Sequence, residues 1–308
     1  MIGILYESRE WSSYKLRDEV CAQGIECTLI DLEEEQSEKM AQKCSFLVNR
    51  VFASSVFRGH EASLKRVSKI LDHAQEHHIP VLNPPESHWN EISKRHSMKV
   101  LENHGILVPK VYGTFQVSKG PEGFADDKSG KSGNISKELD LDQVSYPCII
   151  KPDCGGRTTL TYLVNDEKEL QDAIRDAQAN GPEGICMLVC EYIFPEKNYI
   201  TRVEVIGGVC RLIVKRSIAE NGLSAYHLGS KYAIYDDCPD AVKELAESAC
   251  AATSILMGSL DIIETGKGAY VIDVNAVSNV SEDNTEMFQF DLMKEYAEYI
   301  AQEYKKKQ

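Results

Sequence analysis

Two aspartates and an asparagine mark where this sequence concentrates its chemistry. Asp273 and Asn275 stand two apart in the apolar run Ala269-Tyr-Val-Ile-Asp-Val-Asn275, so in a strand both side chains fall on one face. Asp261 sits in the preceding run, Gly258-Ser-Leu-Asp-Ile-Ile-Glu264, and the short Gly266-Lys-Gly268 turn between the runs favours an antiparallel pair. Three oxygen ligands would then converge. Mg²⁺ takes one or two carboxylates and draws its remaining ligands from water and a substrate's phosphates. The competing reading is two ordinary strands with acidic ends. The choice turns on whether the chain also supplies phosphate binders.

Such groups occur upstream. The run Tyr146-Pro-Cys-Ile-Ile-Lys151-Pro152 reads as a buried strand that carries a lysine. Desolvating that charge is costly unless an anion meets it. The segment Asp153-Cys-Gly155-Gly156-Arg157-Thr158 follows, before a second strand from Leu160 to Val164. A glycine turn between two strands exposes backbone N–H groups able to cover phosphates. Neither the Rossmann fingerprint nor the P-loop describes this hairpin. Gly130-Lys131-Ser132 imitates the end of a P-loop, but Ala125 replaces the required glycine and no apolar strand precedes it.

The elements that must position these groups span 308 residues, enough for about two domains of roughly 150 residues each. Ile2–Tyr6, Cys27–Asp31, Ser45–Val51 and Ile79–Asn83 read as strands. They alternate with helices over Trp11–Ala22, opened by Ser12 or Ser13, over a short segment after the acidic stretch Glu33–Glu38, and over Glu61–His77. That alternation predicts a small parallel sheet covered on both faces, with ligands outside the strands' carboxyl ends, where Tyr6, Arg9 and Arg50 lie. Arg50 is balanced between binding a substrate carboxylate and pairing with the Glu33–Glu38 stretch.

A helix capped by Ser93 and ended by Gly105 follows, then a strand over Val111–Phe115. Residues 117–142, rich in Gly, Ser, Lys and Asp, read as a surface insertion. A helix over Glu167–Ala179, a strand over Met187–Ile193 and a hairpin of Ile200–Val205 with Val209–Lys215 lead to a polar loop containing His227. A long helix over Pro239–Met257 precedes the Asp261 strand, and an amphipathic helix from about Thr285 to Tyr304 ends the chain.

A net charge of −14 argues against a nucleic-acid partner, because phosphate backbones are bound through excess Lys and Arg. The 10 cysteines are scattered through mostly apolar runs with no C-x-x-C, as reduced, packed thiols. No apolar run reaches transmembrane length, and the N-terminus lacks a basic n-region, so a cytoplasmic protein is expected, with no membrane partner. His73, His77 and His78 fit the last turn of a helix, where they complement its dipole, better than a metal site.

In their order, Ser93-Lys94-Arg-His-Ser-Met, Gly105-Ile-Leu-Val-Pro109, Ile149-Ile-Lys151-Pro, Gly155-Gly156, Val189-Cys-Glu191-Tyr192-Ile193, Lys215-Arg216, Asp261 and Asp273-Val-Asn275 resemble the ATP-grasp carboxylate-amine ligases, in the branch of the ribosomal-protein glutamate ligases. The resemblance covers roughly residues 80 to 300. It implies mixed α/β and α+β architecture: a pre-ATP-grasp α/β domain over 1–83, a first ATP-grasp part with the glycine-rich lid over 84–190, and a second part with the metal site over 191–308.

It also implies ATP with Mg²⁺, or Mn²⁺ in its place. Lys94, Lys151 and the loop Gly155, Gly156, Arg157 and Thr158 would contact phosphates. The backbone of Glu191, Tyr192 and Ile193 would read adenine, and Asn198 the ribose, since Ile200 replaces the family's usual acidic residue. Asp261, Asp273 and Asn275 would hold the metal, while Arg216, Lys151 and Arg202 would stabilise the transferred phosphoryl group. The resemblance implies that a substrate carboxylate is activated as an acyl phosphate and joined to an amine of an amino acid or short peptide. It admits a homodimer. Ala276-Val-Ser278-Asn279 replaces the family's Pro-Gly turn beside the acceptor site, which adds Ser278 and Asn279 to Arg50, Tyr6 and His227 as substrate candidates. A phosphotransferase or carboxylase-type enzyme and a non-catalytic nucleotide-binding module are the alternatives on the same scaffold.

Overall fold

The computed structural model describes residues 1–7, 10–118, 139–278, 280 and 282–308. The expectations placed on Arg9, on Asn279, on the Gly130-Lys131-Ser132 stretch and on most of the 117–142 insertion lie outside the described residues.

The expected strands β1 (Ile2–Tyr6), β2 (Cys27–Asp31), β3 (Phe46–Arg50) and β4 (Val81–Leu82) form one sheet in the order β2-β1-β3-β4, each pair parallel. Every residue of β1 is buried, as a strand covered on both faces requires. A Cβ on Gly3 would stand 2.7 Å from Cys44 Sγ, so this strand tolerates no side chain there. Helices α1 (Trp11–Ala22), α2 (Ser37–Ala41) and α3 (Glu61–Glu76) lie between the strands in sequence. Val67, Ile70, Leu71 and Ala74 of α3 pack with Leu5 and Leu47 on one side. On the other, Leu16 and Val20 of α1 pack with Ile2, Ile4 and residues from the far end of the chain.

After α4 (Pro85–Ile92) and α5 (Lys94–Asn103), an antiparallel sheet forms in the order β5-β8-β6-β7 from β5 (Val111–Gln116), β6 (Cys148–Pro152), β7 (Tyr162–Val164) and β8 (Cys186–Glu191). Helix α6 (Glu167–Asn180) buries Leu170, Ala173, Ile174 and Ala177, a helical stripe, against it. A second antiparallel sheet, β11-β10-β9-β12-β13, comprises β9 (Tyr199–Ile206), β10 (Val209–Ser217), β11 (Tyr232–Ile234), β12 (Met257–Thr265) and β13 (Gly268–Asn275). Helix α7 (Asp240–Ala252) packs on it. The chain closes with α8 (Glu282–Phe288) and α9 (Leu292–Lys306), and Tyr296, Ala297 and Ile300 of α9 lie against the first sheet.

Several boundaries differ from the sequence reading. Helix α1 opens after Glu10, whose side chain makes no capping hydrogen bond, while Ser12 and Ser13 are buried within its first turn, Ser12 Oγ accepting from Arg50. The strand expected from Leu160 begins at Tyr162, because Leu160 has a left-handed φ of 48°. The long helix expected to reach Met257 stops at Ala252: Thr253 Oγ1 donates back to Ala249 O, Ser254 turns left-handed at φ 57°, and Met257 opens β12. The terminal helix is two helices, broken at Gln289 (φ 50°), with the Asp291 side chain capping α9 at Lys294 N. The described ends of the 117–142 insertion are not superficial, since Val117 and Leu139 join the core beneath α6.

Candidate active site

Asp261 and Asp273 are direct partners across β12 and β13, and Arg202 on β9 is the partner of Asp261 on its other side. Two carboxylates opposite one another on a sheet repel unless cations intervene. Three do. Arg216 Nη2 donates to Asp261 Oδ2 at 2.8 Å, Arg202 Nη1 to Asp261 Oδ1 at 3.3 Å, and Lys94 Nζ to Asp273 Oδ1 at 2.8 Å. Burial opposes ionisation of Asp261, yet the Arg216 and Arg202 guanidiniums hold its carboxyl below the usual range. For Lys94 burial again works against the charge, and Asp273 outweighs it, so the ammonium pKa is raised.

Each cation is held by a further partner or by its own element. Arg216 Nε donates to Ser224 Oγ at 2.9 Å. Arg202 donates to Ser259 Oγ at 2.6 Å and to Glu204 Oε1 at 3.1 Å. Glu204 in turn accepts from Ser278 Oγ at 2.5 Å. Lys94 opens α5 directly after Ser93, whose Oγ accepts from His96 N at 3.1 Å as the sequence predicts. Ser93 Oγ also donates to Asp153 Oδ2, and Asp153 Oδ1 accepts from Arg95 N, which fastens the start of the glycine turn to the head of α5. Lys151 projects from β6 and donates to Ile272 O at 3.1 Å. Burial lowers its pKa, the condition of a lysine that gains from meeting an anion.

The glycine turn links β6 to β7, the antiparallel hairpin expected. A Cβ on Gly155 would stand 2.7 Å from Phe57 Cε2, so glycine is needed for the turn to approach the N-terminal sheet's loops. Arg157 and Thr158 both adopt left-handed φ, at 58° and 53°. Their side chains reach in different directions: Arg157 Nη2 donates to Glu10 Oε1 at 2.9 Å, and Thr158 Oγ1 lies 3.1 Å from Nε2 of the exposed His227. The β6–β8 ladder ends at Glu191, whose Oε2 accepts from Lys110 N. Ile193 beyond it joins Ile200 and Ile263 in a separate apolar cluster.

These groups line one cavity of about 490 Å³, a volume ordinary for a small-molecule site. Lys94, Lys151, the 155–158 turn, Glu191–Ile193, Arg202, Arg216, His227, Asp261, Asp273 and Asn275 all face it. Other candidates are placed elsewhere. Asn198 is exposed in a left-handed turn, Tyr6 is buried with its hydroxyl 3.4 Å from that of Tyr14, and Ser278 is buried under Glu204, none of them lining the cavity.

Arg50 does not pair with the Glu33–Glu38 stretch. It is 2% exposed, donates to Ser12 Oγ and Ser278 O, and makes no ion pair among the described residues, because β3 carries it inward, away from the acidic surface. Glu33 instead accepts from Ser63 Oγ at 2.5 Å. The His73 and His77 rings lie 3.9 Å apart, tilted by 32°, and among the described residues no group of three His, Cys, Asp or Glu side chains is arranged to hold a metal.

The sequence reading missed four carboxylate and amide groups. Glu204 was signalled by its spacing of two from Arg202. Glu10, Glu91 and Asn83 carried no local signal. Glu91 accepts from Ala53 N and Ala276 N, while Asn83 donates to Met257 O and Ala276 O and accepts from Met257 N at 2.8 Å, so both hold the strand ends that carry the aspartates.

The donors Asp261, Asp273 and Asn275 are hard oxygens that fit Mg²⁺. Asp273 keeps one oxygen outside the lysine contact, and Asn275 Nδ2 is buried with no hydrogen-bond partner among the described residues, available to a phosphate oxygen. Two carboxylates with lysines alongside suit a cation whose other ligands come from a nucleotide.

Residues 92–300 match the RimK-like ATP-grasp domain family. No curated protein sequence matches the chain. Among solved structures, a RimK domain ATP-grasp protein from Sphaerobacter thermophilus DSM 20745 is 16% identical with a TM-score of 0.66, covering 97% of this chain and 98% of that one. The D-alanine–D-alanine ligase of Bacillus anthracis is 15% identical with a TM-score of 0.66, over 100% and 99%. The ATP-grasp ligase PsnB complexed with minimal precursor is 18% identical with a TM-score of 0.62, over 98% and 99%.

Proposed function

The chain belongs to the RimK-like ATP-grasp family, and we propose that it is an ATP-dependent ligase that joins a carboxylate to an amine. The observation that carries this reading is the row Asp273, Asp261 and Arg202, with Arg216, Lys94 and Lys151 around it in one cavity. In the reaction, ATP transfers its γ-phosphoryl group to a carboxylate oxygen, and the amine then attacks that carbonyl carbon, losing one proton as phosphate leaves.

On this reading the nucleotide lies between the parts 84–190 and 191–308, beside an N-terminal part ending at residue 83. Ile193, Ile200 and Ile263 enclose the base at the end of the β8 ladder. Lys151 and Lys94 neutralise the phosphate chain, Lys94 exchanging Asp273 for phosphate oxygens. Asp261, Asp273 and Asn275 would hold Mg²⁺, which shields phosphate charge when bound. Arg216 and Arg202, prealigned by Asp261, face the group that gains negative charge, so little reorganisation is needed as it forms. The 155–158 turn, held to Glu10, covers the site and keeps water from a phosphorylated carboxylate. No protein nucleophile is required, because catalysis here is positioning and charge neutralisation.

D-alanine–D-alanine ligase and PsnB, the latter also solved with a precursor peptide, share the fold, which supports an amino acid or peptide as substrate class. The test is ADP release over pairs of carboxylates and amines with mass spectrometry of the product. Release that requires both partners supports a ligase. Turnover indifferent to every amine, with a phosphorylated product, would replace it with a phosphotransferase.

A further inference from the structure

The apolar residues that line the cavity form two groups in different parts of the fold, which we take as its two ends. One is the isoleucine cluster beyond β8. The other is built by a different part of the molecule, where Trp11, Val277, Phe288, Phe290, Leu292 and Met293 line the wall. Trp11 and Phe290 pack against the core cluster that contains Leu292, Met293 and residues of the N-terminal sheet, a cluster distinct from the isoleucines. The second end adjoins the reacting centre. Val277 follows Asn275 by two residues, and the Phe288 ring lies 6.0 Å from that of Tyr232, the strand partner of Arg216.

The charges lining this cavity are engaged apart from Lys151, which donates to Ile272 O and on the ligase reading meets the phosphate chain. Asp261, Asp273 and Glu204 hold Arg216, Lys94 and Arg202, while Arg157 is held by Glu10. Glu91 accepts two backbone N–H groups. A glutamate or lysine side chain entering this end would lose its hydration without an opposite charge to meet, whereas an aromatic or branched aliphatic group would bury apolar surface against it.

We propose that this end takes a substrate bearing a bulky, uncharged apolar side chain: one of the two joined partners is an aromatic or large aliphatic amino acid, free or at a peptide terminus. The inference rests on the ligase reading, in which the isoleucine end belongs to the nucleotide and this end to an organic substrate. Trp11 and Phe290 are its specificity-determining residues, since both are only partly buried at the wall.

The experiment measures ADP release by the full chain with Mg-ATP over all pairs of L-phenylalanine, L-leucine, L-alanine, L-glutamate and L-lysine, with each product weighed by mass spectrometry. Pairs containing phenylalanine or leucine should exceed the matching alanine pairs in kcat/KM by roughly tenfold or more. Trp11→Ala and Phe290→Ala should each raise KM for the bulky partner by a similar factor and leave KM for ATP where it was. Pair-dependent release that favours glutamate or lysine, or variants that do not move the bulky partner's KM, would overturn the substrate class while leaving the ligase reading intact. Release from no pair would sink both.

Discussion

Arg157, in the turn between β6 and β7, donates to Glu10 at the head of α1 at 2.9 Å, and the same carboxylate oxygen accepts from Arg58 at 2.8 Å. The glycine turn over the cavity is therefore tethered to the N-terminal part of the chain. Arg157 is 40% exposed, so the pair is worth little as stability, on the order of 0.5 kcal/mol. Its consequence is positional. Glu10→Gln also removes one of the two carboxylate partners of Arg58, which keeps Glu7, so the melting temperature should fall only slightly while ADP released per product formed rises, because a looser turn admits water. A coupling ratio equal to wild type would show that Glu10 has no part in closure.

The Asp273 carboxylate neutralises buried Lys94 and lies beside Asn275 on β13. Asp273→Asn keeps the shape and removes the charge. Turnover should fall by roughly 100-fold or more, the scale seen when one preorganised electrostatic group is lost. Nucleotide binding followed by calorimetry should persist in weakened form. Retained turnover would remove Asp273 from the metal set.

Arg216 uses its fork on two partners, Nε to Ser224 Oγ and Nη2 to Asp261 Oδ2. A lysine carries the charge but cannot span both. Arg216→Lys should lower kcat by roughly 100-fold with KM for ATP little altered. An equal rise in KM and unchanged kcat would assign Arg216 to ground-state binding.

Glu7, fully buried beside Arg58, has its pKa pushed up by burial to about 7 despite the arginine. The folded chain thus holds this proton more tightly than the unfolded chain. The stability from protonated Glu7 is complete below the ordinary value of 4.5 and is lost as pH rises through about 7. That loss amounts to roughly 3 kcal/mol. The melting temperature of Glu7→Gln relative to wild type should climb between pH 4.5 and 8. Parallel curves would refute the assignment.

Asn83 bonds backbone groups of Leu256, Met257 and Ala276, clamping the start of β12 to the end of β13. Asn83→Ala leaves those buried groups unpaired and should cost about 3 kcal/mol of stability. Thermal melting measures it directly, and an unshifted melting temperature would show that the strands hold their register without the clamp.

Local patterning determined a great deal by itself. The apolar runs and the Gly266-Lys-Gly268 turn placed the Asp261 and Asp273 strands, the buried run placed Lys151 on β6, and Ser93 announced the α5 cap, because each depends on interactions within a few residues. The same locality explains the errors. Thr253 and Ser254 end α7 although the apolar run continues, and Gln289 divides the terminal helices without a glycine or proline to mark the break.

Tertiary structure decided which charges meet. Lys94 and Asp273, Glu91 and Ala276, and Asn83 and Met257 each come together across more than half of the sequence, while α9 returns to cover the first sheet. Arg50 shows the limit most plainly. Its position at the end of β3 was legible, but whether it met acid, substrate or Ser12 depended on packing between distant segments. A sequence carries hydrophobic period and residue chemistry locally, whereas partner choice for a buried charge is set by the whole fold.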